Sequence, residues 1–95
     1  MNALRQSVAQ APAIAYAWYN LADVQDARGE SEGAIRSLVK AVEIAPSFAD
    51  AHFNLAASLE KAGHIKEASR YWRAYLKLDS NSQWAGVARR RLAAR

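Results

Sequence analysis

No cysteine occurs among the 95 residues, which excludes a disulfide framework and any thiolate metal site and leaves the redox compartment open. Long apolar runs are missing too. No stretch approaches the roughly 18 consecutive apolar residues of a membrane span, and residues 1–15, with Asn2, Arg5, Gln6, Ser7 and Gln10, lack the unbroken apolar core of a signal peptide. A soluble, cytoplasmic protein without membrane contact is therefore expected. β-Branched residues are sparse and never alternate with polar ones, which disfavours strands and favours an all-α chain. Catalytic groupings are lacking as well. Ser7, Ser31, Ser37, Ser58 and Ser69 have no His and Asp companions in a hydrolase pattern, no Gly-rich phosphate loop is present, and His52 and His64 have no second ligand at metal spacing. Neither an enzyme nor a cofactor or metal site is expected.

Acidic residues are nearly absent from the last part of the chain. Residues 70–95 hold seven Lys/Arg against Asp79 alone, a net of +6, whereas residues 1–69 hold six against eight acids, a net of −2. The overall +4 therefore belongs to the C-terminal end. Hydrophobic residues make up 52% of the chain, and much of that share is alanine, the best intrinsic helix former. A core drawn from such a short chain has to be spread along stacked helices.

What is present in abundance is internal repetition. Ala17-Trp18-Tyr19-Asn20-Leu21-Ala22 returns 34 residues later as Ala51-His52-Phe53-Asn54-Leu55-Ala56. At the same offset Gly29 pairs with Gly63, Ala34 with Ala68, Leu38 with Trp72, Val42 with Leu76, Ile44 with Leu78 and Pro12 with Pro46. A fixed period of this length marks a stacked-repeat architecture.

The apolar spacing divides the chain into about six antiparallel helices joined by short turns. Residues 2–10 carry Leu4 and Val8 and stop before Pro12; residues 14–28 place Trp18, Leu21, Ala22 and Gln25 on one face and end at Gly29, a left-handed C-cap. Residues 31–44 follow, with Ser31 as N-cap and Ile35, Leu38 and Val42 in one stripe. The second copy comprises residues 48–62, ending at Gly63, and residues 65–78, with Ile65, Ala68, Trp72, Leu76 and Leu78 inward. After the Asp79-Ser80-Asn81-Ser82 turn, rich in N-cap residues, a last helix over about 82–94 carries Trp84, Ala88 and Leu92. Ala22/Ala56 and Ala34/Ala68 are small where paired helices cross, and Leu21/Leu55 and Leu38/Trp72 are the large residues that fill the remaining volume.

Trp18-x-x-Leu21-Ala22, Gly29, Ala34, Leu38, Ala41 and Pro46, with Leu55-Ala56, Leu59, Gly63, Ala68 and Trp72 in the second copy, resemble the tetratricopeptide repeat (TPR). The resemblance implies a single TPR domain over 1–95: a half repeat (1–13), repeats 15–48 and 49–82, and a C-terminal capping helix (82–95). The chain then begins inside the second helix of an earlier repeat. Three positions depart from the pattern. His52 replaces tryptophan, Ser80 replaces the closing proline, and Tyr75 replaces a small alanine, so its ring needs room on the next helix, where Ala85 and Gly86 lie. The segment from Tyr71 to Leu92 also resembles the closing part of bacterial TPR modules, some of which follow a MerR-type helix-turn-helix.

In that family the first helix of each hairpin lines a concave groove. Carried onto this sequence, the groove positions are Tyr16, Tyr19, Asp23 and Asp26 from the first copy and Asp50, Phe53, Ala57 and Glu60 from the second, with Asn20 and Asn54 beside them. Aromatic faces offer contact area, Asn holds peptide backbone, and carboxylates select cations, so a basic or aromatic peptide of a protein partner is expected. The same aromatic and Asn residues also occur in generic repeats for packing and solubility. The family's clamp for acidic chaperone tails is not reproduced, because only Asn54 matches, while Tyr19, Asp23 and Asp50 stand at the clamp's Lys, Asn and basic places. Arg89, Arg90 and Arg91 fan over roughly 200° of a helix, which disfavours nucleic acid. A second expectation is homodimerisation through apolar surface near Leu4 and Val8, the chain then serving as an oligomerisation or spacer segment of a larger regulatory protein.

Overall fold

Every described element of the computed structural model is an α-helix, and the described residues are 12–94. They form α1 (Ala13–Ala27), α2 (Ser31–Ile44), α3 (Ala49–Lys61), α4 (Ile65–Leu78) and α5 (Gln83–Ala93). Five helices are thus seen where the sequence predicts six. The sixth, expected over residues 2–10, lies outside the described residues. α1 packs on α2 and α3 on α4 as antiparallel hairpins, α2 packs on α3 to stack the hairpins, and α5 closes against α4.

The period of 34 is visible in the backbone itself. Gly29 and Gly63 both adopt positive φ, 79° and 91°, a region costly for any residue with a Cβ. At the first, Glu30 N–H donates to the Gln25 carbonyl (2.8 Å) and Gly29 N–H to that of Asp26 (3.0 Å). At the second, His64 N–H donates to Leu59 (2.8 Å) and Gly63 N–H to Glu60 (3.0 Å). Both are Schellman caps, and they orient each hairpin identically. Ser31, expected as N-cap, is instead the first helical residue of α2, and the Glu30 cap position makes no side-chain hydrogen bond. The Schellman turn carries the chain into α2 with backbone bonds alone.

The core follows the small–large logic of the repeat. Ala22, Ala34, Ala56 and Ala68 are buried at the hairpin crossings, beside Leu38 and Trp72. Leu55 is fully buried, between the two hairpins, but its counterpart Leu21 is 42% exposed. Leu55 has the preceding hairpin's α2 against its helix, whereas the preceding neighbour of Leu21 would fall outside the described residues. Ile44, Ile65 and Leu78, expected inward, are exposed at helix ends. In α5 the places of Leu55 and Ala56 are taken by Arg89 and Arg90, both exposed.

Tyr75 is completely buried, its ring edge-on to Phe53 at 5.2 Å. Ala85 is buried in α5 and fits the expected accommodation of that ring. Gly86 does not, since a Cβ there meets nothing closer than Arg90 at 4.0 Å. Asp79 organises the turn that follows: its Oδ2 accepts from the hydroxyls of Tyr75 (2.5 Å) and Ser82 (2.5 Å), and its Oδ1 from the N–H of Ser82 (3.2 Å) and Asn81 (3.4 Å). Ser82 in turn caps α5 by accepting from Trp84 N–H and Ala85 N–H. Burial works against charge on Asp79, but the bonds from Ser82 and Tyr75 and the backbone N–H of Ser82 and Asn81 hold its carboxyl below the ordinary value. The Tyr75 hydroxyl is pushed the other way, by burial and by the bond to Asp79.

Candidate functional site: the inner face of the hairpins

Two adjoining clefts share Ala57. The first, about 260 Å³, runs between the hairpins and is lined by Ala22, Asp23, Asp26, Leu38, Asn54, Ala57 and Ser58. The second, about 510 Å³, continues towards α5 over Phe53, Glu60, Lys61, Trp72, Val87 and Arg91. On α3 the spacing Asn54, Ala57, Ser58, Lys61 is i, i+3, i+4, i+7, one stripe of a helix.

Of the residues expected to line a groove, Asp23, Asp26 and Asn54 come together in the first cleft and Phe53 and Glu60 in the second. Their roles differ. Asp23 makes no ion pair among the described residues, and burial together with the neighbouring Asp26 charge raises its carboxyl above the ordinary value. Asp26 is 3.5 Å from Lys61, a pair in which both side chains are largely exposed and which contributes little by itself. Glu60 accepts from the Trp72 indole N–H at 3.1 Å and lies 3.6 Å from Arg91 Nε. It is already engaged on two sides.

Tyr16 and Tyr19 stack at the outer end of α1, centroids 6.2 Å apart. Tyr16 is exposed, whereas Tyr19 is half-buried against Phe48 at 5.0 Å. Burial, and then the nearby Asp50 and Asp23 carboxylates, push the Tyr19 hydroxyl up to about 12, partly countered by a hydrogen bond from Asn54. Asn20 is exposed and lines neither cleft. Phe53 is half-buried and meets Trp72, Tyr75 and Trp84 edge-on at 4.9, 5.2 and 5.7 Å. It is a hub of the aromatic core that shows one edge to the cleft.

Asp50 differs most from expectation. It is 1% exposed, and its Oδ1 is buried without a hydrogen-bond partner. Its carboxyl is enclosed rather than offered to the groove, and burial, reinforced by the Asp79 charge, raises its pKa to about 7. The contribution of α5 was also not anticipated. Arg91 enters the second cleft, while Arg89 turns away to donate to the Ser80 carbonyl. Only the packing angle of α5 distinguishes them, and no spacing rule carries that angle.

Stacked helical hairpins with a grooved inner face define an α-solenoid, whose inner face is where such folds meet other molecules. A family pattern described as "TPR repeat" matches residues 27–63, and one described as "Tetratricopeptide repeat" matches residues 49–82. Together they span more than half of the chain, and the chain belongs to the tetratricopeptide-repeat family. No curated protein matches it. Repeats of this family generally mediate protein–protein interactions, as non-catalytic modules. Among the described residues no helix is long and apolar enough to cross a membrane.

Proposed function

We propose that the inner face binds an extended segment of a protein partner, a basic side chain seated at Asp23 and Asp26 and an apolar one over Phe53, Trp72 and Val87. The observation that carries this reading is Asp23: a carboxylate in a cleft, beside a second acid, with no cation of its own. An arginine or lysine arriving there relieves both the burial of the charge and the repulsion from Asp26. Asn54, on the same wall, offers an amide to the peptide backbone.

Titration calorimetry with a short peptide carrying arginine two residues before phenylalanine tests it. Affinity is expected to fall at least tenfold in Asp23→Lys and to weaken with salt. Unchanged affinity in Asp23→Lys and in Asn54→Ala would remove the groove from consideration. A second reading, self-association as part of a larger protein, is favoured by the exposed stripe Ile14, Leu21 and Val24 on α1. Sedimentation of the wild type and Leu21→Glu over a concentration series separates the two, because only self-association responds to that change.

A further inference from the structure

A second cleft, about 470 Å³, lies away from the inner face, between the Pro46 turn and α4. Three of its lining residues are cations, Arg70, Arg73 and Lys77, at i, i+3 and i+7 of one helix. At about 100° per residue they fall on one side of α4, opposite Trp72 and Tyr75, which face the core. All three are exposed, and none makes an ion pair among the described residues; Arg70 only lies 5.8 Å from the Tyr71 ring centroid. Between them the floor is apolar, formed by Ala74, Leu78 and Pro46. His52 closes the end: it is 8% exposed, its Nε2 donates to the Pro46 carbonyl at 2.8 Å, and its buried Nδ1 has no partner. Elsewhere on the described surface, cations such as Lys61 and Arg91 are matched to acids. Here they are concentrated without any.

We propose that this outer cleft is a second docking site, which takes an acidic peptide segment of a partner protein. One or two carboxylates sit among Arg70, Arg73 and Lys77, and a neighbouring leucine-like side chain lies on Ala74, Leu78 and Pro46. Charge complementarity selects the acids, and the apolar floor selects a peptide over a polyanion. A nucleic-acid strand needs a track of cations and ring faces for its bases. The three cations here span only about 10 Å of helix, and the nearest ring, Tyr71, is half-buried and tilted against His52 at 6.0 Å. Partner chains are therefore engaged on two faces of opposite charge, a basic segment inside and an acidic one outside.

Fluorescence anisotropy with a labelled peptide of alternating aspartate and leucine tests the site. Binding is expected in the wild type, with at least a tenfold loss in Arg73→Glu/Lys77→Glu, a smaller loss in Arg73→Gln, and no change in Asp23→Lys. Circular dichroism verifies that each variant keeps its helices, and Arg73→Gln, neutral and exposed, serves if the double variant does not fold. Failure of the peptide to bind at millimolar concentration overturns the proposal. So does equal loss in Asp23→Lys, or a single-stranded oligonucleotide of matched charge binding as tightly as the peptide.

Discussion

After α2 the chain leaves its hairpin through Ala41, Ala45 and Phe48, all buried and all apolar. After α4, 34 residues on, the same three places hold Tyr75, Asp79 and Ser82, tied together by hydrogen bonds. The backbone at the helix end hardly changes: Ala45 N–H donates to Ala41 and Asp79 N–H to Tyr75, each at 2.9 Å, with φ, ψ of −132°, 82° and −146°, 100°. What changes is where the space-filling ring comes from. In the first copy Phe48 reaches Tyr19 from the turn; in the second, Tyr75 reaches Phe53, the counterpart of Tyr19, from the helix. With the ring supplied by Tyr75, position 82 is released from packing and becomes a cap. Its ψ moves to 169° from the 87° of Phe48, so α5 starts with a cap that α3 lacks. Substitutions at two or three positions thus convert an apolar joint that continues the stack into a polar joint that redirects the chain.

Removing the ring from either joint is the strongest way to break this equivalence. Phe48→Ala and Tyr75→Ala are each expected to cost about 3–5 kcal/mol, and chemical denaturation should show similar losses; a loss at one site only would mean that the rings do not play matching parts. Overpacking the crossings comes next. Ala34→Leu and Ala68→Leu, both at fully buried positions, are expected to destabilise by about 1–3 kcal/mol, equally in the two copies, and melting curves that diverge would limit the symmetry to the backbone.

Asp50 sits between the joints, near both Asp79 and Tyr19, and its effect depends on pH. Its folded pKa, about 7, lies above the ordinary 3.8, so the folded state holds the proton more tightly. Stability from this group is full below pH 4 and is lost as pH rises through 7. Asp50→Asn is therefore expected to stabilise the protein at pH 8 by about 1–3 kcal/mol, the scale of relieving a buried unpaired group, and to change little at pH 4. Melting temperatures at the two pH values check it, and a gain at pH 4 as large as at pH 8 would refute it. The smallest effect belongs to the cap: Ser82→Ala should cost about 1 kcal/mol, with amide exchange accelerated in the first turn of α5 and unaltered in α3.

Much of the fold was legible because its determinants are local. Gly29 and Gly63 announce left-handed caps at any distance from the core, and alanine at a fixed spacing announces a crossing. The site was legible only where a helical stripe decides exposure, as at Asp23, Asp26 and Asn54. Asp50 was not, since an acid in a helix's first turn ordinarily faces water, and only the tertiary setting near Tyr19, Tyr75 and Asp79 encloses it. Glu60 likewise reads as a groove acid until the indole of Trp72, twelve residues away, is seen to bind it.

Arg90 occupies in α5 the place of Ala22 and Ala56, and Arg89 that of Leu21 and Leu55. A helix bearing a guanidinium where its predecessors carry a methyl group cannot receive a hairpin partner at the usual 8–10 Å. The repeat count is thereby punctuated by two side chains, as a full stop is by a single mark. For modular engineering, α5 is a terminator that can be transplanted behind other arrays, and restoring leucine and alanine at its two positions is the edit that reopens this one to elongation.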